Sequence, residues 1–280
     1  MLVNPQRSER GDEVLGALED LGVRRLEPAA TSEIGEQVDA AVADGADTVV
    51  AVGGDGTQRL VGAALAGTST ALGVIPGGSV NLLAQILGLD DVAAAVDAVV
   101  RADSRAIDVG TCNGEVFILN SSSGYDAAVI AAADSGHKAR FGRLTFVHAA
   151  VSALRRTRPR RVVVTVDGSV EFSGRAMSVI TTNVAERSSA DLKVAPAAEF
   201  DDGQLDVLIV RATTPVALVR LAWTLARGGT PRRSDLLRAT GEEIVVEWSG
   251  SVDGQIDGDP RPRAQRFRYQ VAPGALRVHV

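Results

Sequence analysis

Two short aliphatic runs, each ending at glycines, set the fold of the first part of the chain. The runs are Asp47–Val52 and Thr70–Ile75, and each leads into a glycine-rich loop. Continuous apolar runs of this length are typical of strands that are buried on both faces of a parallel sheet. Helical patterns follow the loops, over about residues 58–66 and 80–87. This alternation predicts a doubly wound parallel α/β domain that ends near residue 105.

The pattern changes after about residue 105. Short strand-like stretches dominate, and turn pairs such as Asp167-Gly168 and Asp202-Gly203 separate them. Several of these stretches alternate polar and apolar residues, as half-buried antiparallel strands do. Helices are predicted near residues 125–134, 143–156 and 215–226. We therefore predict a second, mainly β domain.

The composition excludes several classes of protein. The chain has 280 residues, and its one cysteine, Cys112, rules out an intrachain disulfide. It contains no apolar run of about 18 residues and no secretory leader, so we expect a cytoplasmic protein. A pI near 5.2 argues against a nucleic-acid partner.

The charges are unevenly distributed. Residues 1–140 carry 9 Lys+Arg against 20 Asp+Glu, whereas residues 141–280 carry 20 against 15. Arginines concentrate at Arg155–Arg161 and again at Arg261, Arg263, Arg266 and Arg268. Such patches predict peripheral contact with an anionic membrane, and a solvated basic face is the alternative. Trp223 and Trp248 are expected to pack inside the second domain.

The loop Gly53–Thr57 reads GGDGT and lies between a predicted strand and a predicted helix. Glycines allow backbone N–H groups to approach a phosphate closely, and a helix N-terminus favours an anion. Asp55 would repel that phosphate, so we predict that it holds Mg²⁺, directly or through water. Thr57 could cap the helix. The alternative is that the glycines serve turn geometry alone.

Two further loops are candidates for the same site. Pro76–Asn81 follows the next strand, and Asn4–Ser8 follows the first one. Ligands of open α/β sheets bind at the carboxyl ends of strands. We therefore predict that the loops close around one triphosphate.

These loops together resemble the diacylglycerol kinase catalytic family, which includes bacterial lipid kinases and sphingosine kinases. The resemblance rests on the segments Asn4-Pro5, Gly53–Thr57 and Pro76–Ala84. Similar segments recur over nearly the whole chain, at Ser123–Ala127, Ala195–Val207, Asp257–Asp259 and Pro273–Leu276. The resemblance implies an α/β nucleotide domain over 1–105 plus about 272–280. It further implies a C-terminal β-sandwich over 106–271, with the active site between the two.

The resemblance also assigns site residues. The implied nucleotide contacts are Asn4, Pro5, Gln6, Arg7, Ser8, Thr31, Gly53, Gly54, Asp55, Gly56, Thr57, Gly78, Ser79 and Asn81. A metal site is implied at the carboxylate of Asp202 and at backbone oxygens near Glu199 and Gln204. A tight Asp-Gly turn without metal is the alternative there.

A lipid hydroxyl needs a base to accept its proton during phosphoryl transfer. The family uses a glutamate in an Asp-Gly-Glu segment, and here the matching residue is Asp259, one methylene shorter. A competing alignment uses Asp253-Gly254-Gln255, which supplies no base. Both segments could also be simple hairpin turns. Val80 replaces a glycine that is common in the second loop.

The sequence thus predicts an ATP- and Mg²⁺-dependent lipid kinase, with catalytic residues Asp55 and Asp259. The expected reaction converts diacylglycerol to phosphatidic acid at a membrane surface. One alternative is another acceptor, either a long-chain base or NAD. Another is a catalytically impaired relative that binds nucleotide or lipid. A homodimer is left open.

Overall fold

The computed structural model describes residues 1–3, 12, 14, 16–18, 22–26, 28–78, 80–89, 91–134, 152–154, 157–184 and 200–280. The chain forms two compact units. The first comprises Met1–Val109 and Pro273–Val280, and the second comprises Gly110–Ala272.

The first unit is built on parallel strands. In sheet order they are β1 (Leu2–Val3), β2 (Thr48–Gly53), β3 (Ala71–Pro76) and the last residues of β13 (Asp259–His279). A further strand, β4 (Ser104–Cys112), pairs with β13. Every residue of β3 is buried, as the aliphatic run predicts.

Helices alternate with these strands. They are α1 (Ile34–Ala43), α2 (Asp55–Leu65), α3 (Leu82–Ile86) and α4 (Val92–Arg101). The Asp91 side chain accepts the Ala94 N–H at 2.8 Å and caps α4. The helix buries Ala95, Ala98 and Val99. The α/β class predicted for this part of the chain is confirmed.

The second unit is an antiparallel structure. Its remaining strands are β5 (Glu115–Phe117), β6 (Asn120–Gly124), β7 (Arg160–Val166), β8 (Ser169–Ala176), β9 (Ser178–Thr182), β10 (Leu205–Val210), β11 (Leu236–Gly241) and β12 (Glu243–Ile256). One path runs β12-β6-β9-β10-β11, and β7 joins β12 to β8. Its helices include α5 (Tyr125–Asp134) and α6 (Pro215–Ala226). The helix predicted over 143–156 lies largely outside the described residues.

The core of the second unit comes from alternate residues of facing strands. Val162, Val164 and Val166 of β7 are buried, whereas the residues between them are more accessible. Phe117 meets Tyr269 edge to face, with ring centroids 6.3 Å apart. This alternation is typical of a β-sandwich and confirms the class predicted for the second domain.

Candidate functional site

Two glycine-rich loops meet at one edge of the parallel sheet. Gly53 at the end of β2 is in register with Pro76 at the end of β3. The Gly77 N–H then donates to the Gly53 carbonyl at 2.8 Å, which continues the pairing into the loops. The sheet therefore places these two predicted nucleotide loops side by side, at the carboxyl ends of the strands.

Most glycines of these loops are needed for the packing of the protein itself. A Cβ on Gly78 would lie 2.6 Å from the Cα of Gly54, and one on Gly77 would lie 3.1 Å from the Cα of Gly53. A Cβ on Gly53 would meet Thr57 Oγ1 at 2.7 Å. The two loops thus touch backbone to backbone, and side chains at these positions would force them apart.

Gly56 differs from its neighbours. A Cβ on Gly56 would meet nothing within 4 Å, and the residue is the second of helix α2. The first N–H groups of a helix have no acceptor within the helix. The open space at the Cβ position of Gly56 leaves room for a ligand beside these donors, so Gly56 is the part of the GGDGT loop that best fits a nucleotide.

Asp55 joins the two loops. Its carboxylate accepts backbone N–H groups from Asn81 at 3.0 Å, Leu82 at 2.5 Å and Leu83 at 3.4 Å. These donors stand at the start of α3, where an acidic group is favoured. The aspartate therefore has a structural reason to occupy the loop, in addition to the magnesium role predicted for it.

Asn81 and Gln58 hold the loops in shape. Asn81 has a left-handed backbone (φ 53°), and its Oδ1 accepts the Gly78 N–H at 2.6 Å. Gln58 is fully buried, and its Nε2 donates to the carbonyls of Gly53 at 3.1 Å and Ile75 at 3.4 Å. Sequence reasoning missed Gln58. The available signal was an amide directly after GGDGT, where a buried polar side chain must find backbone partners.

Thr57 and Thr31, two of the predicted nucleotide contacts, lie in different environments. The N-cap of α2 is Gly54, which makes no side-chain cap bond. Thr57 is the third residue of the helix rather than its N-cap, and it is buried and packs on Gly53. Thr31 is exposed at the start of a short 3₁₀ helix. The predicted contacts Asn4, Pro5, Gln6, Arg7, Ser8 and Ser79 lie outside the described residues.

In the second unit, Asp257-Gly258 forms the tight turn between β12 and β13. Ile256 pairs with Asp259, and both turn residues have positive φ, 44° and 84°. This is the backbone of a type I′ hairpin, as the turn interpretation allowed. The Asp257 carboxylate accepts N–H groups from Ile118, Leu119 and Asn120 at 2.8–2.9 Å. These three hydrogen bonds give the Asp257 carboxylate a structural role.

Asp259, the predicted base, is the first residue of β13 and is partly accessible. The competing segment Asp253-Gly254 lies inside β12, where Gly254 pairs with Ser123 and Arg261. Asp253 also faces Arg263, with 3.7 Å between their nearest charged atoms. The competing segment is therefore part of a strand, and only Asp257-Gly258 is a turn.

The predicted metal site falls on a turn before β10. Asp202 Oδ1 accepts the Gln204 N–H at 2.9 Å, and Gly203 has a positive φ of 71°. Glu199 lies outside the described residues. Among the residues that the structure describes, no three His, Cys, Asp or Glu side chains come together as metal ligands. Asp202 is exposed and keeps its second carboxylate oxygen for another partner.

A cavity of about 460 Å³ lies within the second unit. Small and apolar residues form much of its wall, namely Gly124, Ala128, Ala131, Ala132, Ala153, Met177, Trp248 and Val252. Arg158, Arg160 and Arg263 also line it, together with Asp253 and Thr157. A cavity of several hundred cubic ångströms that combines apolar walls with charged groups is compatible with a small-molecule site.

A carboxyl group at the start of α5 lies close to this cavity in the chain. Ser122 Oγ donates to Asp126 Oδ2 at 2.6 Å. Burial raises the pKa of the Asp126 carboxyl, and the hydrogen bond from Ser122 acts in the opposite direction. Raised carboxyl pKa values are common near functional sites.

The two tryptophans differ in burial. Trp248 is buried, and its Nε1 donates to Ser123 Oγ at 3.0 Å. Trp223 is 59% exposed, so the expectation that it packs inside the domain is wrong. Within the described part of the chain, no helix has the length and apolarity to cross a membrane.

The fold and the loops define an α/β unit of nucleotide-binding type joined to a β-sandwich. Comparison with known proteins gives the family. The diacylglycerol kinase catalytic domain matches residues 3–112, and the YegS C-terminal NAD kinase beta sandwich-like domain matches residues 120–280. The chain belongs to this family of lipid kinases, and the predicted resemblance and enzyme class are confirmed.

Named relatives agree with this membership. The chain is 31% identical over 210 residues to a "Probable lipid kinase YegS-like" of Pseudomonas aeruginosa, covering 75% of this chain and 68% of the relative. It is 30% identical over 251 residues to a diacylglycerol kinase of Mycobacterium tuberculosis, covering 85% and 78%.

Solved structures share the fold. A diacylglycerol kinase from Bacillus anthracis superposes with a TM-score of 0.75 at 18% identity, covering 99% of this chain and 94% of that one. An NAD kinase from Archaeoglobus fulgidus gives a TM-score of 0.55 at 13% identity, covering 100% and 92%. At these identities the likeness supports the fold alone.

Proposed function

We propose that the chain transfers the γ-phosphoryl group of ATP to the hydroxyl of a membrane lipid, with diacylglycerol as the first candidate. The observation that carries this proposal is the pair of glycine loops at one sheet edge, with open space above Gly56. Family membership supports it, because the relatives are named as lipid and diacylglycerol kinases. The two units would then serve as nucleotide and acceptor domains.

The proposed nucleotide contacts come from the chain's own backbone. The N–H groups at the start of α2 would bind phosphate oxygens, with Gly56 allowing close approach. Asp55 and Asn81 would hold the second loop against the first. Phosphoryl transfer depends mainly on such positioning and on neutralising the charge that develops.

Magnesium would neutralise phosphate charge in this reaction. The donor set fits a loosely held ion: Asp55 accepts one N–H on Oδ2 and two on Oδ1, which leaves one lone-pair site of Oδ2 for a metal-bound water. The nucleotide itself would supply most of the ligands. A second ion at Asp202, with backbone oxygens near Glu199 and Gln204, stays a prediction.

The lipid would enter the cavity of the second unit. Its volume of about 460 Å³ and its alanine-rich wall suit an apolar chain. Arg158, Arg160 and Arg263 would attract the phosphate group that the product, phosphatidic acid, carries. We prefer a lipid to NAD as the acceptor because the named relatives are lipid and diacylglycerol kinases.

Asp259 is the proposed base. It keeps a carboxylate at the family's glutamate position, whereas the neighbouring Asp257 is occupied by three backbone N–H groups. The side chain is one methylene shorter than glutamate, and catalytic reach matters on a scale of about 1 Å. A slow enzyme is therefore the expected outcome, and a catalytically impaired relative is the alternative.

The test is transfer of labelled phosphate from ATP with Mg²⁺ to diacylglycerol in mixed micelles. We expect label in phosphatidic acid, loss of activity in Asp259→Asn, and retained or higher activity in Asp259→Glu. Glu171→Gln is the control, because Glu171 is an exposed carboxylate on β8 that does not line the cavity. Equal activity of Asp259→Asn and the unmodified protein would exclude Asp259 as the base.

The same transfer assay, repeated with other acceptors, identifies the substrate. The same assay with a long-chain base, or with NAD in solution, should give little label. Label in NAD alone would contradict the lipid proposal. ATP binding without transfer to any acceptor would favour the catalytically impaired relative.

A further inference from the structure

Helix α6 carries an apolar face that the rest of its unit leaves uncovered. Val216, Val219 and Trp223 are exposed by 76%, 70% and 59%. Their spacing of three and four residues brings them to one side of the helix, since each residue turns it by about 100°. They account for half of the six large apolar side chains that are markedly exposed in the described part of the chain.

The opposite side of α6 is fixed to the unit. Leu221 is buried, and Leu218 and Leu225 are partly buried beside it. Arg220 forms a two-pronged ion pair with the buried carboxylate of Asp235, with distances of 2.7–3.0 Å. The Thr214 side chain caps the helix by accepting the Ala217 N–H. The helix is thus held firmly with its apolar face outward.

The surroundings of this face are strongly basic. From residue 211 to residue 233 the chain has five arginines and no acidic residue. The Arg227 guanidinium lies over the Trp223 ring, 3.9 Å from its centre. Arg232 helps to lower the pKa of the Asp235 carboxyl, whose main partner is Arg220, and no salt bridge of 4.0 Å or less is found at Arg227 or Arg233 among the described residues. The charges of Arg227 and Arg233 are therefore available to an external anion.

We propose that α6 is the surface by which the protein lies on an anionic phospholipid membrane, with Val216, Val219 and Trp223 inserted between headgroups. Amphipathic helices with a tryptophan on the apolar face and arginines beside it bind such interfaces. Anionic lipid complements the arginines, whereas the same basic face on a second copy would repel it. The inference rests on the proposed lipid-kinase function and names the membrane surface for it.

The α6 surface is not the basic patch that the sequence predicts to contact a membrane. The densest run of arginines is Arg155–Arg161, and Arg160 and Arg161 are exposed on β7. That patch has no exposed apolar side chain of comparable size beside it among the described residues. Charge alone gives salt-sensitive attraction, while insertion of valine and tryptophan adds binding that salt does not remove.

The first experiment measures co-sedimentation with vesicles of phosphatidylcholine containing about a third phosphatidylglycerol. Val219→Asp should weaken binding by roughly tenfold or more, because a charge enters the apolar layer. Val170→Asp is the matched control: Val170 is also exposed, by 63%, but it lies on β8. It should bind as the unmodified protein does.

Two basic pairs are then compared in the same assay. Arg232→Ala with Arg233→Ala should weaken binding by about fivefold per residue at low salt. Arg160→Ala with Arg161→Ala should have a smaller effect. Binding that depends only on the second pair would overturn the proposal in favour of the β7 patch.

Fluorescence gives an independent readout. On addition of vesicles the emission of exposed Trp223 should shift to shorter wavelength, and lipids brominated near the headgroup should quench it. Trp223→Ala leaves buried Trp248 as the only tryptophan, and its emission should not respond. An unchanged spectrum in the unmodified protein at saturating lipid would refute insertion.

The remaining outcomes separate this proposal from the kinase proposal. Activity on a short-chain diacylglycerol that is soluble in water should be unaffected by Val219→Asp. If no acceptor is phosphorylated but vesicles are bound through α6, the kinase function fails and the docking surface stands. If Val219→Asp instead converts a dimer to a monomer in sedimentation without changing lipid binding, the face is a self-interface and the proposal fails.

Discussion

The sharpest test of the nucleotide site is Gly56→Ala. Gly56 is the second residue of α2, and an added methyl would meet nothing within 4 Å. Within the protein alone the change should therefore be favourable. Alanine exceeds glycine in helix propensity by about 0.5–1 kcal/mol, so the free energy of unfolding should rise by up to that amount.

ATP binding should change in the opposite direction. If a phosphate lies against the first N–H groups of α2, the methyl occupies part of its space and pushes it away. Loss of one charge-assisted hydrogen bond costs about 1.5–3 kcal/mol, which corresponds to roughly a 10- to 150-fold weaker affinity. Greater stability with weaker ATP binding is a combination that simple damage to the fold does not produce.

Two further variants calibrate the result. Gly35 is likewise the second residue of a helix, α1, with nothing within 4 Å of an added Cβ, so Gly35→Ala should match the stability gain and leave ATP binding unchanged. In Gly78→Ala the methyl would lie 2.6 Å from the Gly54 Cα. That variant should lose about 1–3 kcal/mol of stability through overpacking.

The assays are urea unfolding without nucleotide and calorimetric titration with Mg²⁺-ATP. The reasoning is refuted if Gly56→Ala binds ATP as tightly as Gly35→Ala does. The open space above Gly56 would then have no ligand, and the glycines of both loops would serve packing alone.

Three other predictions concern polar groups that hold the fold. Asp257→Asn should cost about 1.5–3 kcal/mol in urea unfolding, because its carboxylate accepts three backbone N–H groups and an amide cannot accept them all. Asp55→Asn should lower stability by about 1–3 kcal/mol without any ligand present; unchanged nucleotide-free stability would mean that Asp55 acts only on metal or phosphate. Burial lowers the pKa of His279, so its neutral form is favoured in the fold and the associated stability is lost as pH falls below about 6.5. His279→Asn should show a smaller loss between pH 7 and 5, and an identical pH profile would contradict the assignment.

The sequence predicted the strands of the first unit because their burial leaves a simple pattern. The runs 47–52 and 70–75 became β2 and β3 with a shift of one residue. Helix α6 was predicted with its observed bounds because Thr214-Pro215 starts it and Gly228 follows it. Local rules sufficed where capping and periodicity agreed.

Other features depended on contacts that are distant in sequence. The sequence pattern of strand β8 is weak, since seven of its eight residues are exposed or partly exposed and it pairs with β7 rather than burying a face. The outward turn of Trp223 was missed because helical spacing identifies opposite faces without indicating which one is covered. Composition makes tryptophan a core residue by default, and only the packing of Leu221 shows otherwise.

The GGDGT loop illustrates how one motif can carry structural tasks beside the ligand-binding tasks predicted for it. The sequence analysis predicted phosphate contacts for its glycines and magnesium for its aspartate, with turn geometry alone as the alternative for the glycines. The geometry divides these tasks: Gly53, Gly54 and Gly78 allow the loops to touch, Asp55 caps the next helix, and Gly56 alone faces open space. A loop that must bind phosphate must first be rigid, since binding energy spent on ordering it would be lost from affinity. Most residues of the motif therefore stabilise the loop itself. Gly56 is the exception: the fold has room for a side chain there, so this is the position that we assign to ligand binding.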